Sequence, residues 1–231
     1  MRPQLTSSAA RAAAALCALM LGAGVAGLIA SAPSSAAPRA GASHRRQRHR
    51  ATSPRLQALL LHANVLLGQD VALVGVASPG GGRRTVAVEA RERGGWVAVA
   101  RARTNRAGVF VERFWPRRLG RLDLRVRASG IPARHVRLSA TVATVYHQVI
   151  ASWYGPGGVT ACGEELGAAT QGVANKTLPC GTLVTLRYRD RTVRVPVIDR
   201  GPFVPGRDYD LTYATRLALG AGDVSEIWAS A

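Results

Sequence analysis

The stretch "VPVIDRGPFVPGRDYDLT", residues 195–212, decides how the C-terminal part of this 231-residue chain is read. Valines alternate into it: Val193, Val195 and Val197 share one face of a strand, and a period of two puts Asp199 on that same side. A rigid Gly201-Pro202 turn follows, and Asp210 comes eleven positions after Asp199. An acid that ends an apolar strand face is expected to be buried, which raises its pKa and favours the protonated acid. Each acid also has a local explanation. Asp199 can pair with Arg200 or cap the turn, and Asp210 can cap a helix opening near Thr212, a contact worth ~1 kcal/mol. The segment "TYATRLAL" offers that one short helix, stopped by Gly220.

The texture around this stretch, from Ala151 onward, is glycine-rich and charge-balanced, with short alternating runs such as "TLVTLRY" and "TVRVPVI". Six or so short strands with one helix indicate a small closed barrel, an architecture that hides its own edges. No histidine follows His147, so acid–base chemistry in this part falls mainly to carboxylates, and Asp199 stands out among the eight acids.

The N-terminus reads differently. Arg2 and Arg11 are the only charges in residues 1–37, Ala12 to Ala32 is apolar, and "PSSAAP" follows. That is the layout of a secretory signal peptide cut after Ala36 or Ala37. An uncleaved anchor is the alternative, because the apolar run approaches the ~20 residues that span a bilayer. Its glycines and its Ser/Ala/Pro exit favour cleavage. Cys17 follows Leu16 and so lacks the small neighbour of a lipidation site. Export leaves Cys162 and Cys180, an even pair expected to form one disulfide in an oxidising compartment. A loop of that length stabilises by about 3 kcal/mol on chain-entropy grounds.

Charge is unevenly placed. Of the net +18, residues 1–37 hold +2, 38–55 hold +6, 56–149 hold +10 and 150–231 hold none. Residues 38–55, with six arginines and no apolar periodicity, read as a disordered basic linker. Residues 56–148 carry repeated β-like runs separated by turn signals, from "DVALVGVA" through "LDLRVRA" to a last long run, "HVRLSATVATVYHQVI". About seven strands at this spacing argue for an Ig-like sandwich without the antibody cysteine pair. The chain is therefore expected to be all-β, a sandwich at 56–148 followed by a six-stranded barrel at 149–231. Export argues against nucleic acid as the partner of the basic half and favours an anionic wall polymer.

Four motifs, "ASWYGPGGVTACGEEL", "GVANKTLPCGT", "VPVIDRGPFV" and "GRDYDLT", occur in the order seen in rare lipoprotein A-like double-psi β-barrels, which resemble the first domain of expansins. The resemblance covers roughly residues 150–228. It implies that Asp199, Asp210 and Thr160 line a glycan groove, with Tyr154, Asn175, Lys176 and Arg200 as further substrate contacts, and without metal or cofactor. Members include lytic transglycosylases, so the resemblance implies peptidoglycan glycan strands as partner and Asp199 and Asp210 as the catalytic pair. The chain departs from the family at one point: the enzymes carry histidine where "ANKTLP" has Asn175. A non-catalytic, expansin-like glycan binder or wall-loosening module is the alternative implied by that change.

Overall fold

The computed structural model describes residues 53–231, and the expected signal peptide and nearly all of the expected basic linker lie outside them. Two hydrophobic cores organise the described chain. The first is enclosed by two sheets. One contains β1 (Arg55–Leu60), β3 (Val71–Ser78), β6 (Val109–Phe114) and β8 (Val136–Leu138), in the order β6-β3-β1-β8. The other runs through β4 (Thr85–Glu92), β5 (Gly95–Arg103) and β7 (Gly120–Ala128), and reaches β9 (Val142–Tyr154). The period-2 pattern works here as read. Val86, Val88 and Ala90 on β4 and Leu124 and Val126 on β7 are buried together with Leu56, Leu73 and Phe110.

Three expectations change. Arg55, grouped with the linker, opens β1 opposite Ser78. A three-residue strand, β2 (Asn64–Leu66), pairs in parallel with β9. The long run "HVRLSATVATVYHQVI" is two strands, because the chain crosses between sheets at Ser139–Thr141. There the Ser139 hydroxyl accepts the Leu60 N–H at 2.9 Å and the Ser139 N–H donates to the Ala58 carbonyl at 2.9 Å.

Strand β9 is shared. Its N-terminal half pairs with β7 and β2, and its C-terminal half with β14 (Ser225–Ser230) and β13 (Tyr209–Thr212). From β9 the second unit closes as a ring, β9-β13-β10-β12-β11-β14 and back to β9, with β10 (Val173–Ala174), β11 (Leu183–Tyr188) and β12 (Arg191–Asp199). Its interior is filled by Val149, Ala151, Val173, Val184, Leu186, Val195, Val197, Tyr209, Leu211 and Ile227. Instead of a linker between the units, one continuous strand joins them. Tyr146 and Trp228 add a tilted aromatic contact at 5.8 Å, and the Tyr146 hydroxyl donates to Asn64 Oδ1 at 2.9 Å.

The helix α1 (Tyr213–Leu219) is bounded as its sequence indicates: Gly220 ends it in the left-handed region at φ 72°. Its N-cap is Thr212, and Asp210 lies in strand β13. The Thr212 hydroxyl also accepts the Gly172 N–H at 3.2 Å, while the Thr215 hydroxyl donates to the Gly172 carbonyl at 3.0 Å. This buried network fixes the entry to β10. Gly172 is needed there because a Cβ would lie 2.5 Å from the Cδ1 and Cγ1 atoms of Ile198. Gly172→Ala is therefore expected to destabilise the barrel by ~1–3 kcal/mol, as overpacking does. Thermal denaturation with an unshifted midpoint would contradict this.

Candidate active site

The site is created by a break in the alternation of β12. On β10 the successive residues Val173 and Ala174 pair with Val197 and Asp199, so Ile198 is an extra residue, a β-bulge. Val173 and Val197 both point into the barrel core. Asp199, paired with Ala174, therefore faces away from the core, opposite to Val193, Val195 and Val197. This corrects the period-2 expectation. The bulge re-aims the acid, and Ile198 is buried instead, beneath Gly172.

Ala174 also pairs with Asp210 on its other side, across β13. The two acids thus flank a single residue, on strands two spacings apart, about 10 Å between backbones. Asp210 in turn pairs with Ser152 on β9, and the buried Ser152 hydroxyl donates to Asp210 Oδ1. Tyr154, two residues further along β9, falls on the same outward face. Asp199, Ala174, Asp210, Ser152 and Tyr154 so form one face across four adjacent strands.

Asp199 is half-buried and held by backbone donors rather than enclosed by apolar groups. Its Oδ1 accepts the N–H groups of Ala161 and Arg200, both at 2.8 Å. Its Oδ2 has no partner among the described residues. The Ala161 contact comes from the loop 155–172, which is tied down twice more: the Cys162 N–H donates to the Ile198 carbonyl at 3.2 Å, and Cys162 is disulfide-bonded to Cys180, Cα to Cα 5.8 Å. The expected disulfide is therefore present, and it joins the two loops that border Asp199.

The hydroxyl of Tyr154 is buried without a hydrogen-bond partner. Burial, and then the charges of Asp199 and Asp210, push its pKa well above the ordinary tyrosine value. The phenol is thus held neutral, out of reach of solvent and within the field of both acids.

The remaining expected contacts are partly committed elsewhere. Thr160 is buried, and its Oγ1 accepts the Glu164 N–H at 3.0 Å. Asn175 is 8% exposed with both ends of its amide in use: Oδ1 accepts the N–H groups of Thr177 (3.0 Å) and Leu178 (2.8 Å), and Nδ2 donates to the Asp208 carbonyl at 3.2 Å. It shapes the loop rather than presenting a free amide to a sugar. Arg200 donates to the Asn175 and Leu178 carbonyls at 3.3 and 3.0 Å, stapling that loop to β12, and Lys176 Nζ donates to the Arg207 carbonyl at 3.1 Å. Sequence reading missed Ser152 and the Ala161 amide. Ser152 had a faint signal, a polar residue alternating with Ala151 and Trp153 in "ASWY". The Ala161 N–H had none, since any residue but proline supplies it.

Residues 146–224 match a double-psi β-barrel family whose description is lytic transglycolase. The barrel is RlpA-like. A relative from Aquifex aeolicus, named as a probable endolytic peptidoglycan transglycosylase RlpA, is 41% identical over 80 residues, 32% of this chain and 35% of its own. The Campylobacter jejuni endolytic peptidoglycan transglycosylase RlpA is 47% identical over 68 residues, 27% of this chain and 25% of its own. The chain thus spans about a third or less of the curated relatives it matches. A solved structure, the Streptomyces papain inhibitor, matches 37% of this chain and 92% of its own at 26% identity, with a TM-score of only 0.32.

Tyr154 yields a two-part prediction. Because its hydroxyl has no protein partner, Tyr154→Phe should leave stability near pH 7 unchanged or slightly higher. Its raised pKa means that the folded state holds the phenolic proton more tightly than the unfolded chain, whose tyrosines ionise near ~10. Stability is then fully present below pH ~10 and is lost as pH rises through the folded value. Denaturant titrations should show a smaller alkaline loss in Tyr154→Phe than in the parent. Some loss must remain, because burial also raises Tyr146 and Tyr209.

Proposed function

We propose that this chain is an exported wall protein whose RlpA-like barrel cleaves peptidoglycan glycan strands between N-acetylmuramic acid and N-acetylglucosamine as a lytic transglycosylase. The observation that carries this reading is Asp199: Oδ1 is fixed by two backbone N–H groups while Oδ2 is left for a proton. In the reaction the protonated Asp199 gives its proton to the leaving glycosidic oxygen. The same carboxylate then removes the proton from the muramoyl 6-hydroxyl, whose oxygen attacks the anomeric carbon and closes the 1,6-anhydro ring. No water is consumed, so no second carboxylate is needed to activate one, unlike inverting hydrolysis. Asp210, held by Ser152, supports the sugar electrostatically.

A second reading, a glycan-binding or wall-loosening module without turnover, is favoured by Asn175, which stands where the family's enzymes have histidine and whose amide is consumed internally. Asparagine cannot shuttle a proton near neutral pH. Two variants separate the readings. Asp199→Asn should abolish anhydro-muramoyl products, followed by mass spectrometry on isolated peptidoglycan, while leaving glycan binding largely intact. Asn175→His should raise the rate if the missing histidine limits it, up to the ~10²–10⁴-fold of one positioned acid–base group. Undiminished products in Asp199→Asn would move the acid role to Asp210, and no products from any variant would favour the binder.

The first unit we assign to an Ig-like sandwich. In support, β1, β3 and β6 lie in one sheet and β4, β7 and β9 in the other, which matches the A-B-E and C-F-G arrangement. Its outer face also supports an anionic wall polymer as partner. Register places Arg101 and Arg127 on either side of Ala87, Arg125 opposite Glu89, and Arg91 opposite Trp96. Trp96 lies under Arg125 at 4.4 Å, and Glu89 bonds Arg125 at 2.6 Å. Arg91, Arg101 and Arg103 have no carboxylate partner among the described residues. Adsorption to isolated walls should therefore weaken with salt and in Arg101→Glu/Arg103→Glu. Retention equal to the parent at low salt would exclude this face.

A further inference from the structure

At the end of the barrel remote from Asp199, a cavity of about 540 Å³ lies between the two units. Strand β12 separates the places: the cavity borders the turn before Arg191 and Asp199 ends the strand, roughly 26 Å away at ~3.3 Å per residue. No group described for the candidate active site lines it. Its walls are His62 from the β1–β2 connection, Arg187, Tyr188 and Arg189 from the β11–β12 hairpin, and Glu226 and Trp228 from β14. The two sides are held together by the Tyr146–Trp228 contact and the Tyr146–Asn64 hydrogen bond, so the cavity is preformed.

Its chemistry is specific. The Arg187 guanidinium is steadied by Thr192 Oγ1 at 3.1 Å, and the Arg189 guanidinium rests over the Tyr188 ring at 5.0 Å. The opposing acid, Glu226, is engaged by Gln148 Nε2 at 2.8 Å. Arg189 is also the one non-glycine residue with a left-handed φ, 55°, among the described residues. It sits in a two-residue hairpin turn, a position where glycine would be free of strain. A left-handed backbone that bears a guanidinium at the cavity wall, where glycine would be free of strain, points to a role for the side chain rather than for the turn.

We propose that this cavity is a binding site for an oxyanion-bearing saccharide, with Arg187 and Arg189 on the anion and Tyr188 and Trp228 on the sugar ring. Guanidinium forks match the planar oxygens of carboxylate and phosphate, and aromatic faces receive apolar sugar faces. The anion has two sources in a wall: the free lactyl carboxylate of a muramoyl unit without its peptide, or the phosphate of a sugar-phosphate polymer. The site does not depend on the barrel being catalytic.

The test is calorimetric titration of the full exported chain, in an Asp199→Asn background that keeps the ligands intact. The probes are N-acetylmuramic acid, N-acetylglucosamine 1-phosphate and neutral chitotetraose. At least one anionic probe should bind, and the one that does identifies the source. Arg189→Gly should weaken that binding about tenfold, the loss of one charge-assisted contact, while leaving the melting temperature equal or higher. Arg187→Gln, which spares the turn, should weaken it similarly. Arg117→Glu, an exposed arginine in the β6–β7 connection outside both surfaces, should leave it unchanged. Failure of both anionic probes to bind, chitotetraose binding as tightly as they do, or equal affinity in Arg189→Gly would overturn the proposal. So would an Arg117→Glu loss as large as that of Arg189→Gly, which would indicate diffuse charge attraction.

Discussion

Strand β9 is hydrogen-bonded along almost its whole length, and its two halves serve different sheets. Because strand backbones cannot leave N–H and C=O groups unpaired in a core, this one segment imposes both architectures at once. Its first half completes the sandwich beside β7. Its second half closes the barrel, where β13 and β14 both pair with it around Ala151. The same strand delivers Ser152 and Tyr154 to the outer face of the barrel. A register slip of one residue in β9 would exchange Ala151 with Ser152, exposing core and burying the site.

The chemistry of the outer face rests on a second device, the bulge at Ile198. A regular β12 would direct the Asp199 carboxylate into an apolar barrel interior. The extra residue turns it outward, where loop 155–172 supplies the Ala161 amide and a disulfide keeps that loop in place. One oxygen of the acid is thereby fixed and the other left open. Asn175, Arg200 and Lys176 hold the opposite bank through backbone carbonyls and amides. The polar residues of the motifs thus divide into those that lie on the outer face with Asp199 and those that fix the loops beside it.

Charge is segregated in the same modular way. The barrel is neutral overall and gathers its outward acids at one end of β12 and β13, whereas the first unit spreads arginines over the outer face of β4, β5 and β7. A diffuse cationic face attracts polyanions over about a Debye length without fixing their register, whereas a pair of isolated carboxylates exerts its influence only at short range.

The sequence by itself determined the elements whose signal is local. Alternation in "TVAVEARE" and "LDLRVRA" revealed strands and their buried faces, Gly220 ended α1, the even cysteine pair implied its bond, and the ordered motifs marked the barrel and its two acids. Tertiary structure alone decided what depends on a partner strand. The outward turn of Asp199 follows from which β10 residue it pairs with, not from its neighbours in the chain. The split of the run at 135–150 depends on Ser139 meeting Leu60. Asn175, legible as a polar residue in a motif, became a loop-shaping residue only when Asp208, Thr177 and Leu178 came within reach of its amide. Periodicity is a property of one strand, whereas register, bulges and side-chain hydrogen bonds are properties of pairs, which can come from distant parts of the chain, as Ala174 and Asp199, 25 positions apart, do.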